Sequence, residues 1–132
     1  MTLEDPTADP IRSMAVAAAR AADNKVASDI VVLEVGPIVS IYEYLVIASA
    51  TNPRQVAAVA QEIEDVLALE FDRRPNSVEG RDTGRWILAD YGDIVVHVFH
   101  TDERDFYRLE RLFGDAARVD WQPAPIGLGD PA

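Results

Sequence analysis

Hydrophobic positions change period several times along the chain, and each change predicts a new element. From Pro10, the stretch PIRSMAVAAARAADNKVA sets Ile11, Met14, Ala18, Ala22 and Val26 three and four residues apart, which predicts an amphipathic helix with one modest apolar stripe. DIVVLEV, residues 29–35, is dense in β-branched side chains and stops at Gly36-Pro37; YEYLVIAS, residues 42–49, resumes the β character. Asn52 before Pro53 is a helix start, because the Asn side chain caps free amides and a proline in the first turn loses no hydrogen bond. Val56, Val59, Ala60, Ile63, Val66 and Leu67 then repeat at helical spacing, predicting a helix to about Phe71 that Pro75 keeps from continuing. SVEG, residues 77–80, reads as a short edge strand. WILADY and IVVHVFH flank Gly92-Asp93 and read as a hairpin in which Tyr91 faces Ile94 and Trp86 faces Phe99. Thr101 or Asp102 is placed as the cap of a third helix, with Phe106, Leu109, Leu112 and Phe113 on its apolar side and Gly114 as its stop.

The resulting order, α-β-β-α-β-β-β-α, is an α+β design: a mixed β-sheet with helices packed mainly on one side. Residues 1–9 are polar, and residues 122–132, QPAPIGLGDPA, carry three prolines and two glycines without periodicity, so both read as tails around one domain of residues 10–121.

Composition narrows the function. The 23 acidic against 12 basic side chains give a formal charge of −11, so a phosphate backbone meets net repulsion; direct nucleic-acid binding is not expected, whereas a basic protein partner is favoured. There is no cysteine, which excludes disulfides and thiolate chemistry and leaves the cytoplasm as the default compartment. No run of residues reaches membrane-spanning length, and the start, MTLEDPTADP, lacks the basic and apolar regions of a secretory signal.

The hairpin concentrates the candidate chemistry. His97 and His100 resemble a ligand pair by type, but three residues apart on a strand they point to opposite faces, so no metal site is expected. Asp90 and Asp93 are candidates for paired catalytic carboxylates in a nucleotidyl-transferring enzyme. Asp93, however, falls in the turn, where backbone geometry alone favours Asp, and no glycine-rich phosphate loop occurs anywhere. Ser40, Ser49 and Thr51 lack a nucleophile-elbow setting. DERDFYRLER, residues 102–111, reads as a solvated helix face. Trp86 and Tyr91 remain open between two readings, interface anchors on an uncovered sheet face or ordinary core.

In chain order, DIVVLEV, YEYLVIASATNPRQVAAVAQEIED, VEG and RWILADYGDIVVHVFHTDERDFYRLERLFGDA resemble the ribosomal silencing factor family, also called Iojap, over about residues 23–118. The most specific part is the run from Trp86 through Leu88, Asp90, Tyr91, Gly92 and Asp93 to Val96 and His97, with the helix behind it. The resemblance implies a nucleotidyltransferase-like topology without the catalytic site, no cofactor, and a factor that binds the large ribosomal subunit through ribosomal protein fourteen. Such a factor blocks subunit joining, represses translation in starved or resting cells, and is a homodimer when free. Carried onto this chain, it makes Trp86, Leu88, Asp90, Tyr91, His97 and Phe99 the expected partner-binding residues. By strand alternation Trp86, Leu88 and Asp90 share an open face with Val95, His97 and Phe99, Tyr91 lies at its rim, and Ile87, Ala89, Val96 and Val98 pack under the helices. Asn52-Pro53, Leu45 and the proline-rich tail depart from the family pattern.

Overall fold

Helix α1 (Pro10–Asn24) begins where Asp9 accepts a hydrogen bond from the Ile11 amide at 3.0 Å, with proline in the first turn. The computed structural model describes residues 9–106 and 109–122. After α1 come strands β1 (Ser28–Glu34) and β2 (Tyr44–Ala50), then α2 (Pro53–Phe71), capped as expected by Asn52, whose Oδ1 accepts from the Gln55 amide at 2.8 Å. Helix α2 stops at Asp72, which takes a left-handed conformation (φ 55°), so Pro75 lies beyond an end already made.

Strands β3 (Ser77–Glu79), β4 (Trp86–Asp90) and β5 (Ile94–His100) follow; helices α3 (Thr101–Phe106) and α4 (Leu109–Leu112) and the two-residue β6 (Ala117–Arg118) complete the order. Residues 101–106 and 109–112 of the single predicted third helix are helical, and residues 107–108 lie outside the described residues. The cap of that helix is neither Thr101 nor Asp102: the Nδ1 of His100 accepts the Asp102 amide at 3.1 Å.

The six strands form one mixed sheet in the order β3-β4-β5-β2-β1-β6. Neighbours are antiparallel except β2 and β5, which run parallel from Tyr44 beside Ile94 to Ala50 beside His100. The hairpin register is the predicted one: Trp86 faces Phe99, and the Tyr91 amide donates to the Ile94 carbonyl at 2.9 Å.

Both faces of the sheet are covered. Helices α1 and α2 press Met14, Ala18, Val59 and Ile63 onto Val46, Ile87 and Val98, the main core. Ile87, at 1% exposure, lies where alternation put it. On the other face a smaller core gathers Leu33, Val35, Leu45, Ile47 and Phe99, and Val39, Tyr42, Leu109 and Phe113 pack over it. Among the described residues no helix is long and apolar enough to cross a membrane.

Candidate partner-binding surface

Alternation along β4 brings Trp86, Leu88 and Asp90 to one face, beside Phe99, His97 and Val95 of β5. The six expected residues nevertheless divide. Trp86, Leu88 and Asp90 are half-buried, whereas Phe99 is fully buried and His97 nearly so. The expectation of an open face is therefore corrected: the 36–43 loop and the chain after α3 supply enough apolar side chains to roof much of it. Tyr91 is also corrected. It is 2% exposed inside the main core on the helix side, because alternation continues past Asp90 and turns residue 91 the same way as Ile87 and Ala89.

The Trp86 indole stacks on Phe99 with ring centroids 4.7 Å apart, and its Nε1 donates to His97 Nδ1 at 2.9 Å. An Nδ1 that accepts a hydrogen bond carries no proton, so His97 is neutral, and burial pushes its pKa down to about 4. His100 serves the α3 amide instead, so the two rings have separate partners, as their spacing required.

The two aspartates have structural partners, a backbone amide for Asp90 and a guanidinium for Asp93. Asp90 Oδ1 accepts the Gly92 amide at 2.8 Å, closing the turn. Asp93 receives a forked pair from Arg73, at 3.1 and 2.9 Å, while the same guanidinium donates to the Tyr91 carbonyl at 2.7 Å. The Asp93 carbonyl in turn accepts the Glu43 amide at 2.7 Å. Asp93 thus joins the end of α2, the hairpin turn and the entry to β2. The Tyr91 phenol, buried with no hydrogen-bond partner among the described residues, has its pKa raised to about 12 by that burial first of all.

The most consequential residue missed in the sequence is Arg104, read there as part of a solvated face. It is 3% exposed. Its guanidinium donates to Ser49 Oγ at 2.6 Å, to the Asp29 carbonyl at 2.7 Å and to Glu110 Oε2 at 2.9 and 3.2 Å, clamping β1, β2 and α4 together. Asp29 has positive φ (47°) beside the register shift of β1, which turns its carbonyl out of the ladder and toward Arg104. Leu112, expected on the apolar side of its helix, is 74% exposed. Ile38 and Ile41 are exposed too, although their neighbours Val39 and Tyr42 pack into the smaller core. These exposed apolar residues adjoin side chains that pack on the smaller core, which Trp86 and Leu88 also join, and their signal in the sequence was the run PIVSI between the two predicted strands.

The chain matches the family described as ribosomal silencing factor during starvation over residues 8–128. It is similar to the ribosomal silencing factor RsfS of Bacillus subtilis, 44% identical over 83% of this chain and 92% of that protein. It is also similar to the chloroplastic protein Iojap of Zea mays, 34% identical over 82% of this chain and 46% of that one. Among solved structures, a Chromobacterium violaceum protein superposes with a TM-score of 0.75 at 32% identity, covering 79% of this chain and 86% of its own.

Proposed function

Because the chain belongs to the ribosomal silencing factor family, we propose that it binds the large ribosomal subunit through ribosomal protein fourteen, prevents the small subunit from joining, and so represses translation during starvation. The observation that carries this reading is the match along nearly the whole chain to proteins named for silencing ribosomes. A further relative, in mouse, is named for assembly of the mitochondrial large subunit. The docking surface is the half-buried edge formed by Trp86, Leu88 and Asp90 with the exposed apolar side chains of Ile38, Ile41 and Leu112. His97 and Phe99 act from beneath, holding the indole in place, and Tyr91 acts through the core behind it. The net charge of −11 favours a basic ribosomal protein over bare ribosomal RNA.

Sedimentation with purified large subunits tests the proposal. The protein is expected to co-migrate at physiological salt and to lower the yield of joined ribosomes when small subunits are added. A Leu88→Ala variant of unchanged melting temperature should co-migrate less. Protein that stays at the top of the gradient, or that binds without affecting subunit joining, would remove this reading.

A further inference from the structure

On the side of the sheet away from the Trp86 face, α1 and α2 leave a groove of about 520 Å³ between them. The two helices run antiparallel, since Gln55 at the start of α2 donates to the Lys25 carbonyl at the end of α1 at 3.1 Å. Along α1, Ser13, Ala17 and Ala21 recur every four residues and make a floor of small side chains, which lets another helix come close. Val16, Val66 and Phe71 are the apolar walls. Leu69, three residues after Val66 and 85% exposed, carries the apolar surface outward from α2. The charges lie at the two ends. At one end Arg12 stands across from Glu70, with Asp9 beside it. At the other, Arg20 is the charged residue of the lining; its Nε donates to the Trp121 carbonyl at 2.8 Å, and its two terminal nitrogens have no partner among the described residues. Asp23 and Lys25, next along the chain, have opposite charges and do not line the groove.

We propose that this groove seats an amphipathic α-helix of a protein partner, apolar face inward and C-terminal end on Arg20, as a contact separate from the ribosomal one at the Trp86 edge. The lining runs from Arg12 to Asn24, about 18 Å of α1. That is the length of three helical turns, and the charged groups stand at its ends instead of converging on one point, as they would around a small metabolite. The charge pattern sets the direction. A helix carries partial positive charge at its N-terminus and partial negative charge at its C-terminus, so the end with Glu70 and Asp9 suits the partner's first turn and Arg20 suits its last. Acidic side chains in that last turn strengthen the contact with Arg20, and they lie two turns of α1, about 12 Å, from the end that holds Glu70.

The probe is a three-turn helical peptide with leucines along one face, lysine in its first turn, glutamates in its last and a free C-terminal carboxylate. Titrated into the isotope-enriched full-length protein, it is expected to shift the amide signals of Val16, Ala17, Val66 and Phe71 saturably and to spare those of Leu45 and Ile47 on the far face. A second peptide with the lysine and glutamates exchanged between the two ends should bind about tenfold more weakly. Arg20→Gln, with the melting temperature near that of the wild type, should erase the preference between the two peptides. Ala17→Phe, which fills the floor, should abolish binding of both. Shifts confined to the Trp86 face, no shifts at all, equal binding of the two peptides by the wild type, or a preference that survives Arg20→Gln would each overturn the proposal. Shifts of the same groove signals on concentrating the protein without peptide would overturn it too, and would give the groove to a second copy of the chain.

Discussion

His97 ties the stability of the Trp86 face to pH. Its folded pKa of about 4 lies below the ordinary 6.5, so the unfolded chain takes up the extra proton first as pH falls. The stability this residue contributes is complete above about 6.5 and is lost on descending toward 4. At ~1.4 kcal/mol per pH unit, the difference amounts to roughly 3 kcal/mol. Urea denaturation of the wild type and His97→Asn between pH 7 and 4.5 checks this: the variant should lose less stability over the interval, and parallel curves would disprove it. Arg104 permits a sharper test. Arg104→Met takes the donors away from Ser49 Oγ, the Asp29 carbonyl and Glu110 together and should cost about 2 kcal/mol or more. Arg104→Lys should recover little, because a point charge cannot reach Ser49, Asp29 and Glu110 from one planar fork. Trp86→Ala should now lower the melting temperature as well as weaken binding, since the indole both stacks on Phe99 and satisfies His97.

At the level of elements, the hairpin was the most legible part: strict alternation and a Gly-Asp turn fixed its register, including which face Ile87 takes. Helix α2 was legible because Asn52-Pro53 starts it and a regular stripe carries it to Phe71. The unread features are non-local. Nothing in residues 101–113 indicates that Arg104 finds a bulge carbonyl in β1, and nothing in the β1–β2 loop shows that Val39 and Tyr42 pack over the second core. The short β6 is too brief to have a period. One connection has no tolerance for a side chain: Gly80 has φ 90°, and a Cβ there would lie 1.9 Å from the Trp86 carbonyl oxygen. Gly80→Ala should therefore shift the entry to β4, lowering the melting temperature and altering Trp86 fluorescence. Gly114→Ala, whose added Cβ would meet the Arg111 carbonyl oxygen at an ordinary 3.7 Å, should change neither.

At the scale of the whole molecule, the exposed Ile38, Ile41 and Leu112 suit a twofold contact as well as a ribosomal one. Light scattering of the free protein at tens of micromolar should give about twice 14.5 kDa, and Ile41→Ser combined with Leu112→Ser should return it to the single-chain mass. A single-chain mass for the wild type would exclude the dimer at that concentration. The sheet order also bears on how the protein is born. Strands β1 and β2 pair soon after they are made, but the other edge of β2 waits for β5, some fifty residues later. Until then YLVIASA, every residue of which is buried in the finished fold, is an unpaired strand edge on a growing chain. The parallel seam between β2 and β5 is thus the step at which nascent copies are open to pairing with one another, and expression yield should depend more on the speed of translation through residues 51–100 than on the stability of the completed domain.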